Sequence, residues 1–522
     1  MPDYIFMLES RLAPEQLRAL NRVVEEAQAS ELNVYLVGGA VRDLMTGSPI
    51  RDLDFTLEGN PLRVAQRLAR NGVRRFQEDA RRRRAELQLL DGVYLSLEMA
   101  HSEFFHQPGK PAETRPAPIL EDLRRRDFSI NAVGVSLTSG SRGLLLDPTN
   151  GLADIANREL RVLHPYSFLH DPVRLLRLVR FATRLNFHPD ARTKELFEAA
   201  LERGYQDYIQ PEALGREAEQ LTREENVVAV VKALAARELL PVLQSMLQRR
   251  KPDYEGLARF QKYQQQALEA GYQPDPYYAV LYYLRRRLKG RAEKQLLRNL
   301  DLSQAQRKQA LALPGEAKKV LKLLGRRRKA GPRQIYHLLT PVPVELLVFL
   351  LAEYTGKKKI RAKVYNYLFK YRPLRQKLPV RELQLMGVSP GPKFDRILEQ
   401  YFEALLDGKL RARQRQLRFL RKLAGIPKPE PKPEPKPKKV KKAAKLPVAP
   451  PAPAPQEAPR EAPAPARAPR PEAKPSAEKA PPQKAPAKAA KRAAKKAPKK
   501  PAKKPRPKRR EKKKRKKKRV KK

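Results

Sequence analysis

Leu36-Val-Gly-Gly-Ala-Val-Arg-Asp43 and Arg51-Asp-Leu-Asp-Phe55 lie close together near the beginning of a 522-residue chain. The apolar run Asn33–Val37 before the paired glycines predicts a short strand, and the residues from about Ala40 predict a helix. In the second segment polar and apolar residues alternate, as they do in a half-buried strand. A strand, a glycine turn, a helix and a second strand predict a mixed α/β fold for this region.

Two carboxylates of the second segment are candidates for catalysis and for metal binding. Asp52 and Asp54 are two positions apart on the predicted strand, so both side chains lie on one face, while Leu53 and Phe55 face a core. Carboxylate oxygens suit Mg²⁺, which usually binds through one or two carboxylates together with substrate phosphates. Two such ions can activate an attacking hydroxyl and stabilise a leaving pyrophosphate. We therefore predict that Asp52 and Asp54 are catalytic residues and metal ligands.

The paired glycines indicate a phosphate-binding turn. Gly38 and Gly39 allow close approach of a phosphate to the backbone before a helix N-terminus, which favours anions. Arg42, in the first turn of that helix, can add a charge-assisted contact to a triphosphate. Taken singly, a glycine pair is usually a plain turn and two spaced aspartates are usually a solvated strand edge. The combination, with Asp52 ten positions after Arg42, is far more specific.

The motifs together resemble the signature of class II tRNA nucleotidyltransferases and bacterial poly(A) polymerases. Three later segments resemble further motifs of this family in the family's order: Asp122-Leu-Arg-Arg-Arg-Asp-Phe-Ser-Ile-Asn131, Asp147-Pro-Thr-Asn-Gly-Leu-Ala-Asp154 and Asp171-Pro-Val-Arg-Leu-Leu-Arg-Leu-Val-Arg-Phe181. This ordered match covers roughly residues 30–190. A weaker resemblance continues to about residue 425, through Leu385-Met-Gly-Val-Ser-Pro-Gly-Pro392 and Leu406-Asp-Gly408.

The resemblance implies a reaction and a role for each matching residue. It implies addition of C and A to the 3′ end of tRNA from CTP and ATP, with release of pyrophosphate and with the acceptor arm as the RNA partner. The alternatives are a poly(A) polymerase and a specialist that adds only CC or only A. Asp52 and Asp54 are implied to bind the metal ions. The implied nucleotide-binding residues are Gly39, Arg42, Arg126, Asp171, Arg174, Arg177 and Arg180.

Asp171 and Arg174, in the segment Asp171–Phe181, can select a base by hydrogen bonding. Arg174 lies one helical turn after Asp171, so the two side chains are neighbours. C and A each present an amine donor beside a ring-nitrogen acceptor, which matches a carboxylate beside a guanidinium, whereas U and G present the reverse pattern. As an alternative, Asp171 and Pro172 form a good helix start, with Asp171 as N-cap. The arginines would then form a solvated basic face. His170 stands where the family usually has Glu.

The remaining pattern predicts an α+β architecture. We expect a small nucleotidyltransferase head at residues 1–165, in which Asp91-Gly92 marks a hairpin and Phe104–Pro118 forms the mobile loop of the family. The pattern is helical from about Tyr166 to Leu423. It predicts a neck at 166–225 that carries the nucleotide-selecting helix, and an RNA-binding body and tail at 226–426. A disordered Pro/Ala/Lys-rich extension is expected at 427–522.

Composition points to a polyanionic partner. The net charge is +55, and residues 427–522, with 37 basic and 7 acidic residues, account for +30 of it. The remaining +25 on residues 1–426 predicts contact with nucleic acid, and the extension can hold nucleic acid without sequence preference. The chain has no cysteine. Residues 1–12 show no leader pattern, and no apolar run reaches about 20 residues, so we expect a cytoplasmic location and no membrane partner.

Overall fold

The computed structural model describes residues 3–70, 72–410 and 412–426. The extension predicted at 427–522 lies outside the described residues. Their strands are β1 (Asn33–Val37), β2 (Asp52–Glu58), β3 (Val73–Asp79), β4 (Arg84–Leu89), β5 (Tyr94–Met99), β6 (His101–Phe104), β7 (Glu113–Pro116), β8 (Gly134–Ser136), β9 (Leu145–Leu146), β10 (Glu159–Leu160) and β11 (His188–Pro189).

The first ten helices lie in the regions predicted as head and neck. They are α1 (Tyr4–Arg11), α2 (Pro14–Gln28), α3 (Gly39–Thr46), α4 (Leu62–Arg70), α5 (Ile119–Arg124), α6 (Gly151–Asn157), α7 (Ser167–His170), α8 (Arg174–Leu185), α9 (Ala191–Glu202) and α10 (Pro211–Thr222). The later helices are α11 (Val227–Ala236), α12 (Leu240–Leu243), α13 (Tyr254–Glu269), α14 (Tyr277–Arg285), α15 (Arg291–Asn299), α16 (Gln304–Arg326), α17 (Pro332–Leu339), α18 (Val344–Glu353), α19 (Lys358–Asn366), α20 (Val380–Leu385), α21 (Pro392–Leu406) and α22 (Arg413–Ala424).

The head is built on a seven-stranded sheet with the order β3-β4-β5-β2-β1-β8-β9. The predicted strands around the glycine turn are confirmed as β1 and β2, and the predicted helix begins at Gly39. β2 pairs antiparallel with β1 and parallel with β5, so the strand that carries both aspartates is central. The mixed α/β head is therefore confirmed.

Alternation along β1 and β2 decides which face is covered. Leu53 and Phe55 are fully buried in one apolar cluster, in which α1 to α4 pack against the apolar side chains of the sheet. On the opposite face, Tyr35 and Val37 pack against α5 through Ile119. This helix covers the β1 side of that face and leaves the aspartates of β2 half-buried.

Two hairpins differ in how well the sequence predicts them. β4 and β5 pair antiparallel around Asp91-Gly92, where Gly92 has a φ of 96°, as predicted. The prediction of a loop over Phe104–Pro118 is wrong at its ends, because β6 pairs with β7 from His101 to Pro116. The β6–β7 pair was not predicted because the segment contains several prolines and Gly109, and Pro and Gly usually mark irregular backbone.

Beyond the head the described chain is helical apart from the two-residue strand β11, which pairs with β10. One apolar core runs from Phe128 to Leu406, and a smaller cluster joins α20, α21 and α22. The boundaries after residues 165 and 225 remain predictions, because this core crosses both. Among the described helices none alone is long and apolar enough to cross a membrane; α17 and α18 pass that test of length and composition only together, with a bend of 115° between them.

Candidate active site

Asp52 and Asp54 lie on one face of β2, as their spacing predicts. Asp52 is opposite Tyr94 of β5, and Asp54 is opposite Ser96, whose Oγ donates a hydrogen bond of 2.5 Å to Asp54 Oδ1. Both carboxylates are half-buried. The strand therefore presents two neighbouring carboxylates in a partly desolvated position.

The glycine turn lies directly beside Asp54. Gly38 has a φ of 67°, which a side chain rarely adopts. A Cβ placed on Gly39 would lie 3.7 Å from Asp54 Oδ2, and a Cβ on Gly38 would lie 2.9 Å from Arg126 Nη1. The two glycines thus let a carboxylate and a guanidinium approach the backbone at the beginning of α3. The structure brings Gly39, Asp54 and Arg126 together.

The two aspartates repel one another. Burial, followed by the charge of Asp54, raises the pKa of Asp52 to about 6, although the guanidiniums of Arg223, Arg51 and Arg184 oppose this rise. Two close carboxylates share a site most favourably when a cation lies between them. The motifs did not mark these three arginines as site residues, and Arg223 is the least expected, because it lies 171 positions after Asp52.

Arg126 connects the sheet face to α5. Its Nη2 donates to Thr56 Oγ1 of β2 at 3.1 Å and to Asp122 Oδ2 at 2.9 Å. Asp122 is fully buried, and burial alone would raise its pKa, but Arg126 and Arg125 hold it at about 2. A permanently charged Asp122 therefore fixes Arg126 on the face that carries Asp54.

The contact between Asp171 and Arg174 distinguishes two interpretations of this motif. Arg174 Nε lies 3.3 Å from Asp171 Oδ2, so the predicted pair forms. The capping alternative is wrong, because α8 begins at Arg174 and none of its backbone N–H groups donates to the Asp171 carboxylate. Arg174 Nη1 donates to Ser167 Oγ and to the Arg126 carbonyl, and Nη2 donates to the Arg125 carbonyl.

The remaining arginines of α8 are not a solvated face, so that alternative is also wrong. Arg177 donates to Asp127 Oδ2 at 2.9 Å and to Glu217 Oε2 at 3.1 Å. Arg180 is 5% exposed and donates to Glu217 and Glu224. Arg177 keeps partial access to solvent, whereas Arg180 lies behind it against α10.

Arg42 is also more deeply placed than its motif indicates. It is 3% exposed and donates to Asp43 Oδ1 and, at 2.7 Å, to Asn131 Oδ1. Its guanidinium lies 5.0 Å from the ring of Phe181 on α8. Arg42 therefore links the glycine turn to the segment after Arg126 and to the neck.

Comparison with known proteins shows which family model and which enzymes this chain is similar to. Residues 34–161 match the family model described as the poly A polymerase head domain. The A-adding tRNA nucleotidyltransferase of Geobacter sulfurreducens is 27% identical over 416 residues, which are 78% of this chain and 47% of the relative. The corresponding A-adding enzyme of Aquifex aeolicus is 30% identical over 394 residues, 70% of this chain and 44% of the relative.

The chain belongs to the class II tRNA nucleotidyltransferase and bacterial poly(A) polymerase family. A further relative, the CC-adding tRNA nucleotidyltransferase of Deinococcus radiodurans, is 37% identical over 180 residues, 34% of this chain and 48% of that protein. The chain spans about half the length of the curated relatives it matches.

Members of this nucleotidyltransferase family use a divalent metal ion. The described residues contain no preformed group of three or more His, Cys, Asp or Glu side chains that could hold one. Asp52 and Asp54 still fit a metal of the hard type, because such ions take carboxylate oxygens and complete their coordination with substrate phosphates and water. Glu98 lies on the same sheet face, opposite Thr56 rather than Asp54.

His170, which departs from the family pattern, lies in an aromatic cluster next to the nucleotide-selecting pair. Its ring stacks on Phe105 at 4.7 Å and lies 5.5 Å from the ring of His164. Burial, then the charges of His164 and Arg174, lower the pKa of His170. Burial and these charges therefore favour the uncharged imidazole at this position.

Proposed function

We propose that this chain is a template-independent tRNA nucleotidyltransferase that adds C and A to the tRNA 3′ end from CTP and ATP. The observation that carries the proposal is the convergence of the Asp52–Asp54 pair, the glycine turn and Arg126 in one head, joined to the Asp171–Arg174 pair by direct contacts. In the reaction the 3′ oxygen of the RNA bonds to the α-phosphorus of the nucleotide. The bond from that phosphorus to its bridging oxygen breaks, and pyrophosphate leaves.

The head residues have distinct tasks in this proposal. Backbone N–H groups at the beginning of α3 and the guanidinium of Arg126 bind the triphosphate, because both are hydrogen-bond donors that lie next to the glycine turn beside Asp54. Asp52 and Asp54 would hold Mg²⁺. When bound, this ion polarises the attacking hydroxyl and neutralises charge on the leaving group.

Nucleotide choice follows from the groups left free by the contacts of Asp171 and Arg174. The guanidinium of Arg174 has five N–H groups. One donates to Asp171 and three donate to Ser167 and to the carbonyls of Arg125 and Arg126, which leaves one Nη2 N–H for a ligand. Asp171 Oδ1 is likewise left to accept a hydrogen bond. One donor and one acceptor side by side match the ring nitrogen and the amine of C or A, and they oppose both U and G. Mismatched buried polar groups can discriminate by about 10⁴-fold.

A polar cavity is lined by Arg51, the residue before Asp52, and we propose that the RNA end enters from that side. The cavity has a volume of about 510 Å³ and lies between the α3–β2 loop, the end of α8 and the beginning of α11. Arg51, Arg158 and Arg184 contribute guanidiniums to its wall. RNA duplexes are bound mainly through backbone and shape, so we propose that the basic helical body holds the acceptor arm in this way. The cysteine-free composition is compatible with a cytoplasmic location, which is part of the same proposal.

An A-adding specialist is a second candidate. Two A-adding relatives align over 78% and 70% of this chain and a third over 37%, whereas the CC-adding relative aligns over 34%. The first candidate predicts incorporation of both CTP and ATP, and the second predicts ATP only, at a tRNA that already ends in CC. Unlimited ATP addition would instead identify a poly(A) polymerase.

The experiment is nucleotide incorporation into tRNA by the full chain, with each of the four nucleotides and with Mg²⁺ present or removed by chelation. We expect Mg²⁺-dependent incorporation of C and A only. Asp52→Asn/Asp54→Asn should abolish it while the circular dichroism spectrum and Tm stay those of a folded chain. Asp91→Asn is the matched control on the same sheet, since Asn-Gly forms the same turn as Asp-Gly. Full activity in the double variant would contradict the proposal.

A further inference from the structure

Glu217 joins two arginines of the nucleotide-selecting helix. Its Oε1 accepts from Arg180 Nε at 2.6 Å, and its Oε2 accepts from Arg177 Nε at 3.1 Å. Arg177 continues to Asp127 in the head, and Arg180 continues to Glu224 at 2.8 Å. Glu217 itself is 4% exposed, and its hydrogen bonds go to Arg177 and Arg180 rather than to β2 or Asp171. Any influence on the reaction therefore passes through α8.

The chain of contacts closes on itself through the glycine-turn helix. Arg184 lies 3.7 Å from Glu224 and donates to Asp43 at 2.8 Å. Asp43 accepts from Arg42, and Arg42 donates to Asn131. Asn131 in turn donates to Asp127 at 2.9 Å, which completes the circuit. We call this closed circuit the ionic ring; its members are Glu217, Arg180, Glu224, Arg184, Asp43, Arg42, Asn131, Asp127 and Arg177.

The ionic ring restrains α8 at three successive turns. Arg177, Arg180 and Arg184 are spaced by three and four residues, so they lie on one side of the helix. Arg177 donates to the segment after Arg126, Arg180 donates to α10, and Arg184 donates to α3. Rotation or sliding of α8 would therefore break charge-assisted contacts at buried positions, where unpaired charges are costly.

We propose that Glu217 is a positioning residue for nucleotide selection, an inference that rests on the proposed function. Asp171 and Arg174 can discriminate bases only while they keep a fixed place relative to Asp54. Arg174 is one turn from Arg177, and Glu217 fixes both Arg177 and Arg180. Loss of the Glu217 carboxylate frees one side of α8, and the selecting pair then meets the base edge in more than one register.

The test compares Glu217→Gln with Glu212→Gln, the same substitution at the exposed beginning of α10. Within the described part of the chain, Glu212 forms ion pairs with Arg216 and Arg82 on the surface. The measurement is kcat/KM for CTP, ATP, UTP and GTP on tRNA, together with Tm. For Glu217→Gln we expect roughly a 10- to 100-fold fall with the correct nucleotides, the effect of a misplacement of about 1 Å, and a smaller fall with UTP and GTP. Selectivity then drops at least several-fold, and Glu212→Gln matches the wild type.

A second variant keeps the test open if Glu217→Gln does not fold. Arg180→Lys preserves the buried charge but cannot bridge two carboxylates as a planar guanidinium does, so it should lower selectivity in the same direction. An equal fall with all four nucleotides, or selectivity unchanged in folded variants, would overturn the inference. Absence of any transfer by the wild-type chain would instead overturn the proposed function itself, so the two failures are distinguishable.

Discussion

Replacement of Asp127 by Asn should weaken the fold by an amount that the structure determines. Asp127 is 8% exposed and accepts hydrogen bonds from the Phe128 backbone N–H, Asn131 Nδ2 and Arg177 Nη1. Burial alone would raise its pKa, but Arg177, Arg174 and these hydrogen bonds hold it at about 2. A fall of nearly two pKa units corresponds to roughly 2–3 kcal/mol.

The sign of this contribution sets its pH dependence. Because the pKa is depressed in the folded chain, the ionised carboxylate stabilises the fold above the unfolded pKa of about 4, and the contribution is lost as pH falls through about 2. Urea unfolding at pH 7 should therefore separate Asp127→Asn from the wild type by roughly 2–3 kcal/mol in the free energy of unfolding. The separation should narrow steadily below about pH 4.

The control for this experiment is Asp207→Asn, an exposed position in the neck. It should change the free energy of unfolding by less than about 0.5 kcal/mol, as surface substitutions usually do. A difference for Asp127→Asn that stays constant from pH 7 to pH 2.5 would refute the argument, because the stabilisation would then not depend on the ionised carboxylate.

Three further variants test separate parts of the site. Asp122→Asn should lower the free energy of unfolding by about 3 kcal/mol, because it leaves Arg125 and Arg126 without their buried partner, and urea unfolding measures this. Gly38→Ala should cost about 1–3 kcal/mol for its positive φ and raise KM for the nucleotide, because the new Cβ displaces Arg126; a KM equal to that of the wild type would contradict this placement. Asp171→Ala should raise UTP and GTP use relative to CTP and ATP with little change in Tm, since its carboxylate does not cap α8; a large loss of Tm would restore the capping role.

The sequence predicted the features that depend on neighbouring residues. Alternation in Arg51–Phe55 was enough to place Asp52 and Asp54 on one face, and the glycine pair was enough to predict a turn before α3. These succeeded because strand alternation and glycine backbone freedom act over only a few positions.

Local sequence patterns did not predict the contacts between residues that lie far apart in the chain. Local signals favour Asp171 as a helix cap, but the carbonyls of Arg125 and Arg126 hold Arg174, and the helix begins later. The spacing of Glu217 and Glu224 by seven residues, two helical turns, was a signal that could have been matched to the arginines of α8. Nothing in the sequence indicated which elements would bring them together.

Nucleotide addition to three tRNAs that end before CCA, after C and after CC, each with CTP, ATP or both, distinguishes the proposed activity from its alternatives. We predict that the wild-type chain completes all three to a single CCA end, with no extension beyond it. Addition of A only to the tRNA that ends in CC would identify the A-adding specialist, and unlimited A addition on every end would contradict the account.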